Sequence, residues 1–219
     1  MNPTTDPFAS GVLDKEVHDR FVAGLDNFVR DAGIQPHWVW TALAETCGED
    51  ERDYVRRIKH HMTGTSVQGM VLTRSTPTGD PAEHMAAMAG TLLRNFIRAR
   101  VMTLGTVLDL LNSGDEPEAS VLLIPNFCIA RSEAGGGYVV PEDGEGDKSS
   151  KSKKGKAMGQ GGGASLPNWR IQAIHDLLVR RGSRGKQTVI YASSVGELAV
   201  EYGSAMGRLV EGRFIQAQI

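Results

Sequence analysis

Apolar positions along this chain change their period near residue 69. Before it they recur at helical spacing. Val17, Phe21, Leu25 and Phe28 lie three or four residues apart and predict a helix over 12–32, stopped by Gly33. A second, short helix is predicted over 36–46 with Trp38 and Trp40, and a third over 49–62. The third carries Arg52, Arg56, Arg57, Lys59, His60 and His61, a basic face of the kind that solvation explains. The two tryptophans are expected to pack between helices, with stacking on nucleic-acid bases as the rival reading.

From Gly69 onward, short apolar runs alternate with helical ones. Strands are predicted over 69–73, 100–104, 120–130, 187–192 and 213–219. Helices are predicted over 81–98, 106–111, 168–181, 195–202 and 204–210. In the first of these, Met85, Met88, Leu92 and Phe96 form one stripe, with Leu93 and Ile97 beside it. The run SVLLIPNFCIA at 120–130 is almost continuously apolar, as in a strand buried on both faces. The alternation predicts an α/β domain whose mainly parallel sheet is flanked by helices and joined by right-handed crossovers.

Polar stretches set the boundaries. Residues 1–12 read as a flexible N-terminus, 13–62 as an N-terminal helical segment, and 63–219 as the α/β domain. A Gly-, Ser- and Lys-rich insertion at 132–165 is too polar to offset its ordering entropy and is expected to be disordered. Its acids Glu142, Asp143, Glu145 and Asp147 precede Lys148, Lys151, Lys153, Lys154 and Lys156. Those lysines either neutralise nucleic-acid phosphates without reading sequence, or simply offset the neighbouring acids.

Composition narrows the classes. The chain has 219 residues, 40% hydrophobic and 23% charged, with a formal net charge of -2. These are the proportions of a soluble globular protein with no global basic field. The start lacks a signal-peptide layout, and no apolar run reaches membrane-spanning length. Cys47 and Cys128 form no CxxC pair, and Cys128 reads as a buried reduced thiol. A cytoplasmic location without membrane contact is the expectation. The six histidines are expected at the surface. His60-His61 finds no carboxylate or cysteine at useful sequence spacing, so no metal site is predicted. Ser193-Ser194 lacks the glycines of a nucleophile elbow.

The segment TRSTPTGDPAEHMAAMAG, residues 73–90, joins the first strand to the first helix of the α/β region, where a P-loop sits. A P-loop wraps phosphate with glycines and contacts it with a lysine, and its Ser/Thr hydroxyl holds magnesium. The matching residues here are Arg74, Ser75, Thr76, Pro77, Thr78, Gly79, Asp80 and Pro81. Arg74 replaces the first glycine, Asp80 the lysine and Pro81 the hydroxyl. Asp80-Pro81-Ala82-Glu83 is instead a strong helix start: an Asp N-cap, Pro at N1 and Glu at N3. Two carboxylates at the positive end of a helix dipole repel a polyphosphate.

The succession ARVMTLGTVLDLL, SVLLIPNF, AIHDLLVRRGSRGKQTVIYASS and ELAVEYGSAMGRLVEGRFI resembles the AAA+ ATPases of the bacterial helicase-loader and transposition-helper family, over about residues 50–219. The resemblance implies a P-loop NTPase-like AAA+ core. It places the Walker B acids at Pro125 and Asn126, the polar sensor at Ser193 and the intersubunit arginine at Arg208, with Arg213 following. Phosphoryl transfer needs magnesium held by a hydroxyl and an acid. The resemblance therefore implies a degenerate member, a pseudo-ATPase without cofactor. Such a chain is expected to be an adaptor in DNA replication or mobile-element DNA handling, meeting a partner such as a replicative helicase through its N-terminal helices. Three alternatives stay open. Arg74 takes the lysine's place and weak ATP/Mg binding survives; Arg208 acts in trans on an intact AAA+ paralogue; or the lysine loop makes the chain a single-stranded nucleic-acid-binding module.

Overall fold

The computed structural model describes residues 14–43, 47–73, 80–128 and 167–219. The expected flexible N-terminus, the insertion at 132–165 with its five lysines, and Arg74 to Gly79 lie outside the described residues. Five strands form one sheet: β1 Gly69–Thr73, β2 Ala99–Val101, β3 Val121–Ile124, β4 Gln187–Ala192 and β5 Phe214–Gln218. Their order is β2-β3-β4-β1-β5, and every pairing is parallel. Gly69 pairs with Thr188 on one side and Phe214 on the other, which fixes the register of the centre.

Side-chain alternation along the strands sorts the core into two layers. Met70, Leu72, Val121, Leu123 and Val189 point to one face, covered by α3 (Glu49–Met62) and α4 (Pro81–Arg94). Val71, Leu122, Ile124 and Ile190 point to the other. That face is covered by α5 (Leu104–Asn112), α6 (Asn168–Ser183), α7 (Val195–Tyr202) and α8 (Ser204–Arg213). Apolar residues on both faces explain why these strands read as continuous runs. A smaller cluster joins α1 (Lys15–Ala32) and α2 (His37–Trp40) to α4 through Phe21, Val29, Ala32, Val39 and Leu93. The α1 helix is capped by Asp14 and ends at Gly33 with φ 68, a left-handed conformation that glycine adopts without strain. Gly90 lets α4 approach α2 closely, since a Cβ there would lie 2.0 Å from the Trp38 carbonyl oxygen.

Several boundaries and surfaces differ from the sequence expectation. The helix predicted over 81–98 stops at Arg94. Phe96 takes a left-handed φ of 59, and the Phe96 and Ile97 N–H groups close back onto the Leu93 and Leu92 carbonyls. Phe96 thus leaves the buried stripe, is 59% exposed, and meets Phe21 edge-on at 5.5 Å. The second strand is Ala99–Val101, because Thr103 caps α5 and Leu104 already begins it. The third strand ends at Ile124, where Pro125 and Asn126 turn the chain. The helix expected over 36–46 is the single turn α2, and Trp40 is 57% exposed rather than packed, Val39 being the residue buried there. Phe28 is exposed while Val29 is buried. His61 leaves the basic face. Two helical turns after Tyr54 and three residues after Ile58, it turns inward with them, is 8% exposed and stacks on the Tyr54 ring.

Candidate functional site

In an open parallel sheet, ligands bind beyond the carboxyl ends of neighbouring strands whose connections leave on opposite faces. Here those strands are β1, followed by α4 on one face, and β4, followed by α7 and α8 on the other. The crevice is bounded by Thr73 and Asp80 on one side and by Ser193 and Ser194 on the other, with Pro125 and Asn126 after the next strand.

Among the described residues, several polar groups at this edge are engaged with helix starts. Asp80 caps α4, its Oδ1 accepting the Ala82 N–H at 2.8 Å, with Pro81 at N1 and Glu83 in the first turn. Asn126 Oδ1 accepts the Leu104 N–H at 2.9 Å, and Thr103 Oγ1 accepts the Thr106 N–H at 3.2 Å; both bonds satisfy α5. Ser194 Oγ accepts the Glu197 N–H at 3.1 Å and caps α7. Ser193 is exposed beside it. A helix start binds an anion through its free N–H groups, and at these three helices side chains already occupy part of that capacity. The carboxylate of Asp80 adds like charge toward any phosphate.

The candidate arginines stand apart from one another. Arg208 is exposed in the middle of α8. Arg213 closes α8 at the amino end of the sheet, where its carbonyl accepts the Gln68 N–H at 2.8 Å. A five-residue strand, roughly 16 Å long, separates that end from the crevice. Near the crevice, Cys128 is half-buried, and burial, then Glu201 and Glu197, push its thiol up to about 12. It is therefore a poor nucleophile at neutral pH.

A second cluster escaped the sequence reading. Cys47 precedes the Gly48 cap of α3, Glu51 lies in the first turn of α3, and His84 in the first turn of α4. His84 Nε2 stands 2.7 Å from Glu51 Oε1 and 3.9 Å from Cys47 Sγ. Cys47 and Glu51 are buried and His84 is half-buried. The i,i+4 spacing of Cys47 and Glu51 was the available signal. The third member lies on another helix, so only the fold brings it in.

No family model and no curated protein matches the chain. Its fold is similar to that of solved replication proteins. The replication initiator DnaA, bound to AMPPCP and single-stranded DNA, aligns with TM-score 0.50 and 8% identity over 84% of this chain. This chain spans about half of that protein, 51%. The crystal structure of DnaI aligns with TM-score 0.47 and 11% identity, over 85% of this chain and 94% of its own. The DnaC helicase loader aligns with TM-score 0.48 and 12% identity, over 84% and 98%. The sheet is all-parallel and flanked by helices, as the alternation of apolar runs predicted, and the likeness to DnaA is one of fold.

Proposed function

We propose that this chain is a helicase-loader-like adaptor in DNA replication or mobile-element DNA handling, one that acts by binding a protein partner and does not hydrolyse ATP. The observation that carries the second half is Asp80. Where a P-loop presents lysine to phosphate, this residue holds the start of α4 with its carboxylate. Asn126, at the Walker B position, is neutral and bonded to α5. The fold shared with a nucleotide- and DNA-bound initiator supports the replication setting. The exposed apolar groups of the N-terminal helices, Val22, Phe28 and Trp40, and the exposed Phe96 against Phe21, support a protein partner at that end.

The test is a titration with a fluorescent ATP analogue and a phosphate-release assay, with magnesium and with or without single-stranded DNA. The wild type is expected to show no turnover. The combined substitution Arg74→Gly, Asp80→Lys and Pro81→Thr is expected to create analogue binding without turnover, because Pro125 and Asn126 cannot hold magnesium. Wild-type turnover that disappears in Arg74→Ala overturns the reading. So does a folded triple variant that binds nothing. A second reading is favoured by the exposure of Arg208: lent to an intact AAA+ neighbour, it stabilises charge in that neighbour's site. Stimulation of such a neighbour's ATPase, lost in Arg208→Ala, distinguishes it from the adaptor. Binding of DNA by the lysines of 148–156 is a third component, read from the salt dependence of affinity.

A further inference from the structure

We propose that Cys47, Glu51 and His84 form a binding site for a zinc-class divalent metal ion that pins α3 to α4. The donor set is one thiolate, one imidazole and one carboxylate. That mixture suits zinc and its first-row neighbours and does not suit the all-oxygen preference of magnesium or calcium. The three ligand atoms lie within 4.8 Å of one another. Around a tetrahedral zinc, typical bond lengths place sulfur and nitrogen about 3.6 Å apart and nitrogen and oxygen about 3.4 Å apart. The observed 3.9 Å between Cys47 Sγ and His84 Nε2 is close to the first. The 2.7 Å between His84 Nε2 and Glu51 Oε1 is a hydrogen bond that must open by several tenths of an ångström when an ion replaces the shared proton.

A second observation points the same way. Glu51 is 0% exposed, and its other oxygen, Oε2, is buried without a hydrogen-bond partner among the described residues. A buried carboxylate with an unsatisfied oxygen is costly. A simple Glu51–His84 ion pair explains Oε1 but neither Oε2 nor the placement of a cysteine against the same imidazole nitrogen. A metal ion uses all three groups. Cys47 binds as thiolate and its proton passes to solvent. Three protein ligands leave a fourth position for water. The side chain of His84 is 14% exposed, so an ion can reach the site.

The location gives the site its role. Gly48, next to Cys47, lies against the Gln218 carbonyl oxygen at the carboxyl end of β5, and His84 is four residues beyond the Asp80 cap. The ion would tie the end of the N-terminal helical segment to the helix that leaves the phosphate-loop position. This inference concerns a different set of side chains from the proposed adaptor function and stands or falls separately.

The test uses the full chain in reducing, metal-free buffer, titrated with zinc against a chromophoric chelator and then with cobalt(II). One zinc per chain and a thiolate-to-cobalt charge-transfer band are expected. Cys47→Ser should abolish the band and weaken zinc by at least about tenfold, the scale at which even supporting residues of metal sites act. His84→Gln should weaken zinc similarly. His60→Gln and Cys128→Ala should leave both readouts unchanged. Circular dichroism verifies that each variant is folded, and Cys47→Ala replaces the serine variant if that one is not. A folded wild type that takes up no stoichiometric zinc overturns the proposal, as does zinc binding undiminished in a folded Cys47 variant or lost equally in His60→Gln.

Discussion

The two ends of the sheet treat polar groups in opposite ways. At the amino end Arg181 and Gln187 are buried and bonded many times over, while Gln68 Oε1 and His61 Nε2 are buried without a partner among the described residues. Arg181, 1% exposed, donates from Nε to Thr188 Oγ1, from Nη1 to the Pro117 carbonyl, and from Nη2 to the Ala119 and Gln187 carbonyls, all at 2.9 to 3.1 Å. Gln187 accepts from the Tyr54 hydroxyl and donates to the His61 and Val67 carbonyls. At the carboxyl end, Asp80, Thr103, Asn126 and Ser194 are exposed, and each serves a single helix start. Local capping bonds contribute about 1 kcal/mol each. A buried network that joins α3, α6, the approach to β3 and β4 holds the layers together. Among the described residues, the end that binds ligands in open parallel sheets carries local helix caps, and the buried network lies at the other end.

The largest effect should therefore come from Arg181→Met. The substitution keeps much of the side-chain volume but leaves the Pro117, Ala119 and Gln187 carbonyls without their donor. At about 1–3 kcal/mol for each buried group left unsatisfied, the loss should reach on the order of 3 kcal/mol or more. Burial pulls the guanidinium down to about 10, while Glu116 and Tyr54 act in the opposite direction, so Arg181 remains charged at neutral pH. Urea denaturation followed by circular dichroism gives the midpoint shift. A shift no larger than that of a surface cap would erase the distinction between the two ends.

Asp80→Ala sharpens the comparison from the other side. The lost N-cap bond should cost about 1 kcal/mol. For a chain of this length that is a fall of about 2–4 °C in Tm. The same substitution removes negative charge from the positive end of the α4 dipole, so any residual affinity for a nucleotide analogue should rise rather than fall. Loss of stability together with loss of analogue affinity would show that Asp80 serves a ligand as well as the helix.

The central strands β1, β3 and β4 were legible because they are apolar on both faces, and the helices because one stripe recurs. What could not be read is what depends on neighbours distant in sequence. Phe96 fits the helical stripe by spacing, but its left-handed backbone turns it toward Phe21 on α1. Arg181 follows Arg180 at a helix end, yet Arg180 pairs at the surface with Glu116 while Arg181 turns into the core. The Asp80 cap was legible because it is entirely local. The bonding of Asn126 to α5 was not, since Leu104 begins a helix that follows another strand. Cys47 lies just before α3, Glu51 in α3 and His84 in α4, and their meeting is a property of the layer packing.

The smallest expected effect is a pH dependence that belongs to the amino end alone. His61 stacks on Tyr54, and its carbonyl accepts from Gln187, so it borders the buried network. Its imidazole is held below the usual value of 6.5, first by burial and then by the positive charges of His60 and Arg57, with Asp53 opposing them. The folded state thus favours neutral His61, whereas the unfolded chain takes up a proton as pH falls through about 6.5. The unfolded state binds more protons in that window, so the His61 contribution is present above it and is lost as pH falls from 6.5 toward the folded-state value. His61→Phe keeps an aromatic ring against Tyr54 and removes the titration. Between pH 7.5 and pH 5.5 the wild-type Tm should fall further than that of the variant, by on the order of a degree or two. Equal slopes would mean that His61 titrates as an exposed residue does, and that the buried network ends at Gln187.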